Sequence, residues 1–135
     1  MGRPDHPGRH VSGLVLDVGA LIALEREQRP ALLLVKRALT AGNPVVVPAT
    51  ALAQVARDLR RQVRLARLLR HTGCLVTPLD RVVGLRIGRL LAASGTSDVV
   101  DAHVVTVAQV LRMAVLTSDV GDLRALDPDL VLVAV

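Results

Sequence analysis

Short β-branched apolar runs alternate with stretches of three- and four-residue apolar spacing along most of this 135-residue chain. The runs at 13–17, 44–47, 74–77, 114–117 and 130–133 predict strands, because they are short and rich in valine and leucine. Between them, Ala20–Glu25 and Pro30–Thr40 predict two short helices. The second opens on a proline in its first turn and ends before Ala41-Gly42-Asn43-Pro44. A helical region then runs from Pro48 or Ala49 to about Arg70, with room for a break into two, and His71-Thr-Gly73 stops it. Asp80 to Ala93 predicts a further helix, with Asp80 as N-cap and Gly95 just past its end. Ser97 or Asp98 caps the next, which continues to about Arg112. Strands that alternate with helices need crossover connections. The expected class is therefore α/β, with a parallel sheet of about five strands covered by helices on both faces.

Length and composition narrow this to one domain, since 51% hydrophobic residues in 135 are enough for a single core. The polar start, Met1-Gly-Arg-Pro4-Asp-His-Pro7, is expected to be a flexible leader over residues 1–12, with the domain occupying 13–135. There is no Phe, Tyr or Trp, so the core is aliphatic and a nucleic-acid contact would do without aromatic stacking. The single Cys74 excludes an internal disulfide and, inside an apolar run, reads as a small core residue. No run approaches the roughly 18 apolar residues of a membrane span. A cytoplasmic protein without a membrane role is expected.

The chemistry-bearing feature is a set of aspartates at element boundaries. Asp17 closes the first apolar run, Asp98 and Asp101 stand where a late helix begins, and Asp119 and Asp122 follow the fourth strand signal. Acids placed where parallel strands end can converge although far apart in sequence. Converging carboxylates repel unless a cation sits among them, and a hard ion such as Mg²⁺ or Mn²⁺ is the natural counter-charge. An aspartate at a helix start is commonly a cap, and Asp98 and Asp119 are each open to that role. Asp101 lies one turn beyond Asp98, so both can face the same side. Asp17, in an apolar strand signal, is where a structural role is least natural. Among four histidines, only His103 sits near the acids, and a surface or partly buried position suits it better than catalysis.

Four stretches in order, Leu16-Asp17-Val-Gly-Ala-Leu-Ile-Ala-Leu, Val47-Pro-Ala-Thr-Ala-Leu-Ala-Gln54-Val, Asp98-Val-Val-Asp101-Ala-His-Val-Val-Thr-Val-Ala and Val115-Leu-Thr-Ser-Asp119-Val-Gly-Asp122-Leu, resemble the PIN-domain nucleases. More narrowly, they resemble the VapC-type toxins of toxin–antitoxin pairs. The resemblance implies Mg²⁺- or Mn²⁺-dependent cleavage of RNA, with Asp17, Asp101 and Asp119 as the catalytic acids. Asp98 and Asp122 join them as metal-ligand candidates, with Thr117 and Ser118 in support. The family's second acid is a Glu where this chain has Gln54, an amide that can accept a hydrogen bond but carries no charge. Either Asp98 supplies the missing charge, or metal binding is weakened, or the domain binds RNA without cutting it. The implied partners are RNA, a cognate antitoxin and a second copy of the chain.

The net charge of +5 gathers in residues 57–70, where Arg57, Arg60, Arg61, Arg64, Arg67 and Arg70 face a single aspartate. On one helix they form a broad basic stripe, with Leu59, Ala66 and Leu69 toward the other side. The stripe reads as a solvated surface, as a sequence-independent phosphate track, or as a seat for an acidic antitoxin segment. Gly-rich phosphate loops, a nucleophile elbow and Cys/His zinc spacings are absent. A phospho-acceptor receiver domain also places acids at strand ends, but the sole Lys36 lies far from any late strand end.

Overall fold

The structure is a computed structural model that describes residues 12–135. The expected leader, with His6 and His10, lies outside the described residues apart from Ser12. In chain order the elements are β1 (Leu14–Leu16), α1 (Val18–Glu25), α2 (Arg29–Thr40), β2 (Val45–Pro48), α3 (Ala49–Val55), α4 (Val63–Arg70), β3 (Cys74–Thr77), α5 (Arg81–Ser94), α6 (Val99–Leu111), β4 (Ala114–Thr117), α7 (Val120–Leu126) and β5 (Leu132–Ala134). Every strand pair is parallel, and the order is β3-β2-β1-β4-β5. The α/β class and the five parallel strands follow the sequence pattern.

Consecutive strand residues face opposite sides of a sheet. Val15 and Leu16, Val45 to Val47, and Val115 and Leu116 are all buried, so helices cover both faces at β1, β2 and β4. At the β3 edge this cover ends, and both Leu75 and Val76 are exposed. The aliphatic core continues into α1, α2, α4 and α6, with Leu21, Ala31, Leu65 and Val104 at its heart.

Helix starts follow their capping residues. The Asp80 carboxylate accepts the Val83 N–H at 2.9 Å to open α5, and Gly95 closes that helix in the left-handed region at φ 71°. The seven-residue α7 has no counterpart among the predicted helices. It is too short to show a helical period, and its only local signal is its cap, Asp119.

The helical region of 49–70 is divided, and the reason is Gln62. Its Oε1 accepts the Arg57 and Asp58 N–H groups at 2.8 and 3.1 Å, while Nε2 donates to the Val55 carbonyl at 2.9 Å. The side chain thus satisfies the backbone of the turn between α3 and α4. Glu25 of α1 then accepts the Leu65 N–H at 2.9 Å, satisfying a first-turn donor of α4. The single stripe of six arginines is corrected by this break. Arg57, Arg60 and Arg61 lie in the connection, and only Arg64, Arg67 and Arg70 ride on α4. The buried side of α4 is Leu65 and Leu68, whereas Leu59 lies outside the helix and is exposed.

Candidate active site

The strand order reverses direction at β1. The chain moves outward through β2 and β3, returns by α5 and α6, and lays β4 on the other side of β1. In such a sheet, a crevice opens at the carboxyl ends of the two strands where the order switches. Asp17 directly follows β1, Asp119 lies two residues past β4, and the Asp17 N–H donates to the Leu116 carbonyl at 3.2 Å. The crevice holds an open pocket of about 540 Å³. Asp17, Asp98, Asp101, Asp119 and Asp122 line it with Gln54, Ser118 and Gly19, and among the described residues no lysine or arginine does. The structure thus brings together all five aspartates singled out in the sequence, and places Gln54 beside them.

Three of these acids also cap helices. Asp17 Oδ1 accepts the Ala20 N–H at 2.8 Å at the start of α1, so its position carries a structural role after all. Asp98 Oδ1 accepts the Asp101 N–H at 2.9 Å at the start of α6. Asp119 Oδ1 accepts the Asp122 N–H at 3.3 Å at the start of α7. The Asp98 and Asp119 caps therefore order the backbone of a neighbouring acid, Asp101 and Asp122 in turn, and in all three caps the second oxygen is not needed. Capping alone does not select the site, because Asp80 caps α5 in the same way and lies outside the pocket.

Electrostatics follow from burial and crowding. Burial raises the Asp17 carboxyl above its ordinary range, while the Thr117 hydroxyl and the Ala20 N–H pull it down and Asp119 pushes it up again. The Asp101 carboxyl is pushed up to about 6, first by burial and then by repulsion from Asp98, Asp122, Asp119 and Asp17. Asp122 is raised by its side-chain contact with Asp119 and by that group's charge. Thr117 is fully buried, and its hydroxyl accepts the Asp119 N–H at 2.7 Å, so it ties the end of β4 to the start of α7.

Among the described residues, no three His, Cys, Asp or Glu side chains are gathered tightly enough to grip one ion. The donor set still fits Mg²⁺ or Mn²⁺ in kind. Carboxylate oxygens are the hard ligands these ions take, and Mg²⁺ is commonly held through one or two carboxylates with waters completing its shell. A cation would also relieve the repulsion that raises Asp101.

Two residues were not singled out correctly from sequence. Gly19 packs so closely on the loop after β4 that a Cβ there would stand 1.7 Å from Ser118 Oγ. His103 is fully buried on α6, away from the pocket lining, with burial lowering its pKa and the Pro78 backbone acting the other way. Cys74 is half-buried against the core, its thiol pushed up to about 11 by burial, as an unreactive packing residue should be.

A second concavity, of about 330 Å³, lies between α1, α2 and α4. Leu24, Leu32, Val35, Leu39 and Leu68 make it apolar, and Lys36, Arg64 and Arg67 stand on its lining.

A family model described as a PIN domain matches residues 14–127. No curated protein matches the chain. Among solved structures, the fold is similar to a chain of VapBC2 from Rickettsia felis bound to a DNA fragment from their promoter. That pair has a TM-score of 0.66 and 12% identity, with 91% of this chain and 98% of that one covered. A chain of FitAB bound to IR36 DNA gives a TM-score of 0.61 at 16% identity, over 90% of this chain and 94% of that one. FitAcB from Neisseria gonorrhoeae gives 0.57 at 16% identity, over 88% and 95%.

Proposed function

The chain belongs to the PIN-domain family, and from that membership we propose that it is a metal-dependent endoribonuclease acting as the toxin of a toxin–antitoxin pair. The observation that carries the reading is the pocket itself. Aspartates from the ends of β1 and β4 and the start of α6 meet in one crevice, with no lysine or arginine among them in the described residues. Asp17, Asp101 and Asp119 are the residues we assign to catalysis, with Asp98 and Asp122 completing the set that would hold Mg²⁺ or Mn²⁺. The bound ion would supply Lewis-acid polarisation of a phosphoryl oxygen and a water acidic enough to attack it. Asp17 is held by its cap to the Ala20 N–H through Oδ1, which leaves its second oxygen outside the cap. Asp101, crowded by the other four aspartates, is the group whose carboxylate form a bound cation would favour most.

RNA cleavage in Mn²⁺ tests the assignment. Asp101→Asn is expected to abolish cleavage while the fold persists, and unchanged cleavage by the folded variant would reject it. A second reading is favoured by Gln54, whose neutral amide lines the pocket at the family's acidic position. On that reading the domain binds RNA without cutting it. Gln54→Glu cleaving where the natural chain does not would establish it.

The partner reading rests on the groove between α1, α2 and α4. Its apolar floor and basic rim suit an amphipathic segment carrying acidic residues, which is the chemistry expected of an antitoxin arm. The similar chains come from assemblies named VapBC2 and FitAB, which agrees with a two-component complex. The exposed Leu75, Val76, Val82 and Leu85 on β3 and α5 are where we expect a second copy to pack. No described helix is long and apolar enough to cross a membrane. We assign the action to the cytoplasm, where the RNA substrate resides.

A further inference from the structure

Beyond the pocket, one polar contact in the core joins the two helices that carry Gln54 and Asp101. His103 Nδ1 of α6 lies 2.7 Å from the Thr50 hydroxyl of α3. Among the described residues, it is the only side-chain hydrogen bond between these helices. Thr50 precedes Gln54 by four residues and so shares its helix face. His103 follows Asp101 by two residues on a regular α-helix of 13. The helix turns as a unit, so a bond that holds the imidazole against α3 also bears on where the α6 backbone carries Asp101.

The imidazole is 0% exposed, and its Nε2 meets no partner in good hydrogen-bond geometry, with only the Pro78 backbone near enough to act on it. An unpaired buried nitrogen costs stability, and an aliphatic residue in this aliphatic core would carry no such cost. The pair is therefore poorly explained as a stabilising contact and well explained as a geometric one.

We propose that the His103–Thr50 hydrogen bond is a positioning device that sets Asp101 against Gln54 for divalent-ion binding. The inference rests on the metal reading of the pocket. His103 touches neither ion nor substrate and acts only through the helix that bears Asp101. Partners that orient metal ligands from behind typically change affinity by 10- to 100-fold when removed, roughly the range expected here.

The test is calorimetric titration of Mn²⁺ into the natural chain, Thr50→Val and Thr50→Ser, with thermal unfolding of each. Thr50→Val keeps the size of the side chain and leaves the imidazole in place at some cost in stability, and thermal unfolding shows that the variant is folded at the temperature of the titration. Its Kd for Mn²⁺ is expected to rise about tenfold or more, with Thr50→Ser restoring the natural value. A folded Thr50→Val protein that is less stable but binds Mn²⁺ as the natural chain does would overturn the inference, since that is what a purely structural bond predicts. Failure of Thr50→Ser to restore binding would overturn it too. If the natural chain itself binds no Mn²⁺ at millimolar concentration, the metal reading falls and takes the inference with it, a result distinct from any seen in the variants.

Discussion

Asp101 gathers more repulsion than any other side chain in the pocket, with burial first and then four aspartates together pushing its carboxyl up to about 6. Folding therefore tightens its hold on a proton. The stability this contributes is full below the ordinary value of 3.8 and is lost as pH rises through about 6. Without divalent ions, the chain should thus weaken across that window. Asp17, raised chiefly by burial, adds a change of the same sign. Asp101→Asn should flatten the Asp101 part of the profile and make the metal-free chain more stable at neutral pH. About 1 kcal/mol is expected, after discounting the shift for partial solvent exposure. Thermal unfolding in chelator at mildly acidic and neutral pH checks this. A variant with the natural pH slope would show that the strain lies elsewhere. The same substitution should abolish cleavage, so function and metal-free stability move in opposite directions at this one residue.

The basic segment changes meaning once its elements are known. Arg60 and Arg61 are almost wholly exposed in the turn before α4 and share Asp58 at 3.4 and 3.8 Å, contacts of the kind that add little stability. Arg64 on α4 is paired with Glu27. Arg67 and Arg70 form no ion pair among the described residues. If α4 tracks phosphates, Arg67→Gln and Arg70→Gln should each lower the log–log salt slope of RNA binding by about 0.7, and Arg64→Gln by less, because Glu27 already offsets it. Filter binding across a salt series would read the slopes. A slope untouched by all three changes, with weaker binding of an acidic amphipathic peptide, would assign the helix to the partner groove alone.

Across the whole molecule, the site depends on contacts between segments far apart in the chain. Gly19 at the start of α1 and Ser118 after β4 meet beside the acids, and a methyl on Gly19 would stand 2.8 Å from Ser118 Cβ as well as 1.7 Å from its Oγ. The hydroxyl can rotate away, but the Cβ cannot without moving the loop that carries Asp119. Gly19→Ala is therefore expected to cost about 1–3 kcal/mol and to weaken Mn²⁺ binding together with stability. Denaturant unfolding and Mn²⁺ titration of the variant measure both. A variant as stable and as tight as the natural chain would mean that the loop has more slack than this packing implies.

Strands, most helices and the family of this chain were legible in the sequence, because periodicity, caps and turn residues act over a few neighbouring positions. Asp80 and Asp98 cap the helices their spacing predicted, and Gly95 ends α5 in the conformation that favours glycine. The aspartates were visible as a set for the same reason, each standing at a local boundary. Tertiary structure decided the rest. The division of α3 from α4 rests on Gln62 and is secured by Glu25 of α1, a partner 40 residues away. That division breaks a continuous arginine stripe into a turn and a short helix. The burial of His103 depends on α3 packing against α6, and the close approach of Gly19 to Ser118 depends on β1 lying beside β4. Side chains such as these take their roles from neighbours supplied by other segments. Local pattern shows where an element can form, but only the packed sheet and helices settle what each residue faces.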